Sequence, residues 1–337
     1  RSGAKSRKRR AAADTRGGAR ETDFHYFFFR EERDRGNRDA DLIPVTVRGQ
    51  RENFALFVAE AAGRSSDRVR GLESEQRLFI RDHPESKIEL LDEPTPGKLH
   101  AMRRLFAATT DPFVAIIDDD TIPAPNWAAA LLAVMDQHPR CGIAGGPVIN
   151  QWEFGPTKLA KIYRRSLGDF DLGPTATRLE KPDSFLLGAS LLCRRRAVEE
   201  SGWLSNSLLP GRTGTDLQSG AEDAELCIRV RQTGWEIWYE PAAPMQHLIP
   251  ARRQTRAYLA KLRADVHRSM PAIYHIAGLV PDGAHAEAQA RKAQRQYWKT
   301  LLFDWRPTRR TIRLAERRGR LAGWTSLAKR LTQPIPR

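Results

Sequence analysis

Cysteine is scarce in this chain of 337 residues: Cys141, Cys193 and Cys227 stand far apart, without the short spacings of a metal knuckle or a disulfide framework. That excludes a disulfide-stapled scaffold and predicts reduced, half-buried thiols in a cytoplasmic protein. Also missing are any apolar run near the ~18–20 residues of a transmembrane helix and any hydrophobic signal segment. No internal repeat is visible, and the chain begins at Arg1 rather than Met, as a fragment or a processed product would. What is plentiful is positive charge, +15 net. At first sight that suits nucleic acid, but its distribution does not. Residues 1–20 carry eight Lys/Arg against one Asp, and residues 291–337 carry fourteen against two acids, giving +7 and +12. Residues 21–290 are left mildly acidic, at −4. Basic ends around an acidic body fit segments that touch an anionic surface, such as a membrane or an acidic polymer. They exclude a basic groove through the fold, and no nucleic-acid motif is present, so no nucleic-acid partner is expected.

With 40% hydrophobic residues the chain can build a core, in one large domain or two small ones. Residues 1–22 are basic and rich in Gly and Ala, and are expected to be a disordered arm. The aromatic run 24–29 reads as a strand that stops at Arg30-Glu31-Glu32, and 54–58 as a second, buried strand followed by a turn-rich loop, 60–67. Residues 42–47 read as a strand or a poor helix end. Then come a helix over 68–80, a strand over 87–91 and a helix over 97–108. Pro125 and Asn126 signal the start of a helix over 127–138. Short apolar strands alternating with helices imply a mostly parallel α/β sheet. In the second half, 143–149 reads as a strand interrupted by Gly145-Gly146-Pro147, and 150–180 as irregular. Residues 185–193 read as a strand with Gly188 at its centre, and 203–221 as a mobile loop. A helix over 222–233 ends at Gly234, and a strand covers 235–239. From about 255 onward the pattern is one of basic helices. Over 309–331, Leu314, Leu321, Trp324, Ala328 and Leu331 share a face: either an interfacial anchor or a helix packed on its own domain.

The most informative element is the apolar run 113–117, directly followed by Asp118, Asp119 and Asp120. Five apolar residues read as a strand buried on both faces. Three carboxylates at its end repel one another unless something positive is held there. A hard cation such as Mg²⁺ or Mn²⁺, which takes oxygen ligands and holds phosphorylated substrates, supplies that charge. Ligands also bind beyond the carboxyl ends of strands in open α/β sheets. In an extended chain Asp118 and Asp120 point to one side and Asp119 to the other. The alternative is a solvated acidic turn.

Four segments together resemble the family 2 glycosyltransferases, inverting enzymes of the GT-A fold. They are EPTPGK (93–98), IIDDDTIPAPNW (116–127), GASLLCRRRAVEESGWL (188–204) and GAEDAELCIRVRQTGWEIWYEPAAPMQH (220–247). Order and spacing match over 54–260, roughly two-thirds of the chain. Two departures bear on nucleotide specificity: Phe29-Arg30-Glu31-Glu32 replaces the usual Thr-Tyr-Asn-Arg-like turn, and Glu60 is the nearest carboxylate to the usual Asp after the second strand. The resemblance implies an α/β, GT-A type fold: a Rossmann-like, mostly parallel sheet flanked by helices, followed by a basic helical extension. It implies a divalent cation (Mn²⁺ or Mg²⁺) on Asp118, Asp120 and His247. Asp223 would be the general base with Glu222 beside it, although both also suit a helix N-terminus as mere dipole partners. Glu60, Asp67, Lys98, Asp118 and Asp119 would contact the nucleotide-sugar. Trp152, Gly188, Trp203 and Arg252 would contact the acceptor, with Arg252 and Arg253 also placed to clamp a diphosphate.

The expected organisation is therefore a basic arm (1–22), a GT-A domain (23–260, divided near 125 into nucleotide-sugar and acceptor halves) and a helical extension (261–337). The expected function is transfer of a sugar from a UDP- or GDP-sugar to a hydroxyl on a glycan or lipid-linked glycan. The expected setting is the cytoplasm, peripheral at an anionic membrane. The rival is a catalytically inactive member of the fold that binds or scaffolds.

Overall fold

The computed structural model describes residues 25–33, 54–62, 88–91, 93, 98–118, 120–209, 221–305 and 307–332. The expected basic arm, the segment 42–47, the helix over 68–80, Asp67, Asp119 and most of the 203–221 loop lie outside the described residues.

Eleven strands are described: β1 (His25–Arg33), β2 (Phe54–Ala62), β3 (Ile88–Leu90), β4 (Phe113–Asp118), β5 (Thr121–Pro123), β6 (Cys141–Gly145), β7 (Val148–Trp152), β8 (Thr177–Arg178), β9 (Ser190–Arg194), β10 (Glu236–Tyr239) and β11 (Met245–Ile249). Eight of them form one sheet in the order β3-β1-β2-β4-β9-β6-β10-β8, and β5-β11-β7 form a second. The stretch β3-β1-β2-β4 is parallel throughout. β9 then runs antiparallel to both β4 and β6, and β8 antiparallel to β10. The sheet is therefore mixed, and parallel in its first half.

Helices α1 (Lys98–Ala108), α2 (Trp127–Gln137), α3 (Lys158–Ile162), α4 (Arg195–Glu200), α5 (Trp203–Asn206) and α6 (Glu222–Gln232) belong to this α/β unit. Strand β4 shows why its sequence is apolar without alternation. Val114 and Ile116 enter one core with Leu105 of α1 and Leu226 and Val230 of α6. Phe113, Ala115 and Ile117 enter another with Trp127, Leu131 and Met135 of α2. A Leu131→Ala change there would cost about 2–5 kcal/mol.

Five segments differ from the sequence reading. β1 continues through Arg33, and β2 through Ala62, with Arg30 paired to Glu60. Those charged residues therefore sit in strands rather than in a turn. The 143–149 run is two strands in two sheets, because Gly145-Gly146-Pro147 carries the chain from one sheet to the other. Only Ser190–Arg194 of the 185–193 run is a strand. Leu186 is buried all the same, in loop conformation over the core. Within 150–180 the chain forms α3, a 3₁₀ turn Arg164–Leu167 and β8.

Three long helices follow: α7 (Arg256–Ile276), α8 (Gly283–Phe303) and α9 (Pro307–Thr332). Among the described residues no helix is long and apolar enough to cross a membrane. α9 lies close on α7: a Cβ at Gly319 or Gly323 would stand 2.0 and 2.3 Å from the carbonyl oxygens of Ala264 and Arg268. Trp324, Leu327 and Ala328 pack on Ala286 and Ala293 of α8, and Leu321 and Leu331 join them. The amphipathic face of 309–331 is thus spent on the protein's own helices. The three cysteines are fully rather than half buried. Burial pushes the thiols of Cys141 and Cys227 up to about 12.

Candidate active site

The carboxyl end of β4 is where the sheet delivers its charged residues. Asp118 pairs in register with Ala59 of β2, which puts the backbone of Glu60 at the same edge. Thr121 Oγ1 donates to the Asp118 carbonyl at 2.6 Å and closes the turn into β5. Two polar clusters meet at this turn.

The first is built on Lys98, at the start of α1. Its Nζ donates to Asp118 Oδ1 at 2.9 Å and to the carbonyl of Gly188 at 3.2 Å. The amide of Gly188 in turn donates to Asp223 Oδ2 at 2.9 Å, while Asp223 Oδ1 accepts from the amide of Ala224 at 2.8 Å. A Cβ at residue 188 would stand 3.1 Å from both Lys98 Nζ and Asp223 Cβ, so glycine lets the carboxylate and the ammonium close on one backbone unit. Burial disfavours the Lys98 charge, but Asp118, Glu222 and Asp223 outweigh it and hold the ammonium well above the usual lysine range.

The second cluster comes from the small sheet. His247 on β11 pairs with Thr121 of β5 on one side and Asn150 of β7 on the other. Leu248 N–H donates to the Asp120 carbonyl at 2.8 Å. These bonds bring His247 Nε2 to 3.5 Å from Asp120 Oδ1. Arg253, buried on the 3₁₀ turn Ala251–Gln254, reaches Asp120 Oδ2 at 2.7 Å and lies 3.3 Å from His247 Nε2. Behind the imidazole sits Gly168, at φ +95°, where a Cβ would come within 2.7 Å of His247 Nδ1. Both the backbone angle and the space demand glycine there.

The structure thus brings together Lys98, Asp118, Gly188 and Asp223, and separately Asp120 and His247. Asp118 is turned to Lys98 rather than to His247. Among the described residues no group of three or more His, Cys, Asp or Glu gathers at one point. The Asp120 carboxylate and the His247 imidazole are an oxygen and a nitrogen donor of the kind that ligate divalent cations, with Arg253 already supplying positive charge to Asp120. Glu222 is half-buried at the start of α6. The expected acceptor contacts lie in different settings. Trp203 is 2% exposed inside the core, with no ring face left for a sugar. Trp152 is half-buried against Ile249 and Leu259. Arg252 is exposed, while its neighbour Arg253 is buried and reaches Asp120. Trp238 stacks on His138 at 3.7 Å. Arg103 donates to the Leu204 carbonyl, and Arg194 to those of Cys141 and Met135, so both fasten the fold.

One organising residue carries no sequence signal. Glu225, fully buried, accepts from Ser207 Oγ, from the amides of Leu208 and Leu209 and from Arg229 Nε. It ties the loop after α5 to the helix that carries Asp223. In sequence it reads only as a third acid in a helix's first turn.

The family model described as glycosyltransferase like family 2 matches residues 74–270, more than half of the chain and the whole of both clusters. This chain belongs to glycosyltransferase family 2. Its mixed sheet, parallel over β3-β1-β2-β4, accords with the GT-A fold of that family. The chain is similar to the pre-mycofactocin glycosyltransferase of Mycobacterium tuberculosis, 27% identical over 177 residues, which cover 52% of this chain and 34% of that protein. It is also similar to the glucosyl-dolichyl phosphate glucuronosyltransferase of Haloferax volcanii, 28% identical over 150 residues, covering 42% of this chain and 44% of the relative. It therefore spans about a third of one curated relative and under half of the other. Among solved structures it is similar to a mannosyltransferase from Pyrobaculum calidifontis in complex with GDP-Man and Mn²⁺, with a TM-score of 0.49 and 15% identity over 92% of this chain and 88% of that one.

Proposed function

We propose that this family 2 glycosyltransferase moves a sugar from a nucleotide-diphosphate sugar to an acceptor hydroxyl with inversion. The observation that carries the reading is Asp223, a carboxylate held by the Gly188 amide immediately beside the Lys98–Asp118 pair. A carboxylate has about four lone-pair sites. Two accept backbone amides here, which fixes the group's direction and leaves one on each oxygen for an acceptor hydroxyl. Asp223 takes the hydroxyl proton as the acceptor oxygen bonds to the anomeric carbon. The anomeric C–O bond breaks on the opposite face, and its electron pair leaves with the nucleoside diphosphate. Lys98, held protonated by its acidic neighbours, keeps positive charge beside the base. Arg253 would neutralise the diphosphate on release from Asp120.

Asp120 and His247 would hold a Mg²⁺ or Mn²⁺ ion, whose chemistry when bound is to stabilise the charge of the departing diphosphate. The glucuronosyltransferase relative is named for a glucosyl-dolichyl phosphate, which supports a lipid-linked hydroxyl acceptor over a free sugar. The test is calorimetric titration of UDP- and GDP-sugars with and without Mn²⁺, followed by product analysis at the anomeric carbon. Micromolar binding strengthened by the ion, with an inverted product, is expected. Binding without turnover for any acceptor would favour a scaffold, and retention of configuration would remove Asp223 as base.

A further inference from the structure

The free end of the α8–α9 hairpin is apolar where a soluble surface has no reason to be. Trp298, Leu302, Phe303 and Trp305 are all exposed, Phe303 by 72% and Trp305 by 86%. Scattered apolar residues are ordinary on a protein surface, but four within eight positions form a patch. The tip is also firmly built. Arg310 Nη2 donates to the Leu301 carbonyl at 2.8 Å, and Asp304 N–H to that of Thr300 at 3.2 Å. Arg313 pairs with the Asp304 carboxylate, which is turned inward. Asp304 is the one acid in residues 291–313, against eight Lys/Arg. Arg295 and Lys299 sit on the exposed surface of α8 behind the tip, and Arg309 on α9. Arg291, Arg295, Trp298 and Leu302, spaced by four, three and four, share one face of α8. Trp324, by contrast, is occupied by Tyr274 and the hairpin core.

We infer that this tip is a docking wedge for an anionic lipid bilayer: Leu302, Phe303 and Trp305 enter the interface while Arg295, Lys299 and Arg309 meet the headgroups. Charge decides the occupant. An apolar point with a basic collar and its acid turned inward fits a negatively charged surface that is apolar just beneath. Tryptophan at the rim suits headgroup depth. This inference is independent of the reaction proposed above, since it uses none of those residues.

The test is co-sedimentation of the full chain with phosphatidylcholine vesicles containing phosphatidylglycerol, alongside tryptophan emission. Binding at low salt, release at high salt and a blue shift are expected. Phe303→Ser/Trp305→Ser should abolish sedimentation and shrink the blue shift. Arg295→Gln/Lys299→Gln should weaken binding about fivefold per charge, on anionic vesicles only. Both variants alter exposed side chains, so unchanged melting temperatures and nucleotide-sugar affinities are expected. Sedimentation undiminished by either variant overturns the inference. So does a concentration-dependent dimer that the serine variant dissolves, because the tip would then be an interface between copies. Failure of nucleotide-sugar binding alone would bear on the transferase reading and leave this one standing.

Discussion

Arg253 holds Asp120 Oδ2 across 2.7 Å, while His247 Nε2 approaches the other oxygen, Oδ1, at 3.5 Å. A guanidinium and a divalent cation want the same oxygens. Arg253→Gln should therefore tighten Mn²⁺ binding to the nucleotide-free protein while weakening nucleotide-sugar binding, both read by calorimetry. If both weaken together, Arg253 instead holds Asp120 in its ligating posture. Asp120→Asn should lower kcat about 10²-fold or more and remove its Mn²⁺ dependence.

Asp223→Asn keeps the shape but cannot accept the acceptor's proton, and its NH₂ turns a donor toward one of the two backbone amides that the carboxylate accepts. It should cost roughly 10²–10⁴-fold in kcat, with nucleotide-sugar affinity unchanged. An equal, modest fall in both quantities would assign Asp223 to the architecture of α6.

Gly168→Ala tests the support behind the imidazole. The φ of +95° strains any side chain by about 1–3 kcal/mol, and the new methyl displaces the His247 ring. Mn²⁺ affinity should drop more than the melting temperature alone explains. A destabilised variant that binds Mn²⁺ normally would separate His247 from the metal.

His267 offers a pH prediction away from the site. Burial, together with Arg263, Arg320 and Arg317, pulls the imidazole down to about 4 against the opposing pull of Glu316. The unfolded chain binds this proton near pH 6.5 and the folded one only near 4, so stability falls as pH drops through that window. Glu316, whose carboxyl is held below its usual range chiefly by Arg263 and His267 against the cost of burial, loses stability in the same direction. Melting temperature against pH should slope between about 6.5 and 4, and His267→Gln should flatten the upper part of that slope. An unchanged slope would place the acid sensitivity elsewhere.

Local signals were legible where one segment carries the whole message. The strand before Asp118, the helix that starts at Glu222 and the three C-terminal helices are written in their own residues. Harder to read was everything decided by a partner far along the chain. An amphipathic pattern says that α9 has an apolar face, but its owner, α7 and α8 rather than a bilayer, is set by Gly319 and Gly323. The run 185–193 is apolar because Leu186 covers the core from a loop, and burial alone does not distinguish loop from strand. Arg252 and Arg253 are indistinguishable in sequence. Only the 3₁₀ turn that follows β11 turns the second inward. The pairing of Asp118 with Lys98 rather than His247 likewise depends on where α1 lands.

The three buried cysteines make this chain its own unfolding clock. Thiolates do the reacting, and here the sulfur atoms are enclosed and, for two of them, pushed up to about 12. A thiol reagent at neutral pH therefore reads opening events alone, and the cysteines sit on β6, β9 and α6, beside the segments that bear Gly188 and Asp223. Labelling rates in the presence of a nucleotide-sugar would then time how long this part of the fold stays closed, with no reporter group added.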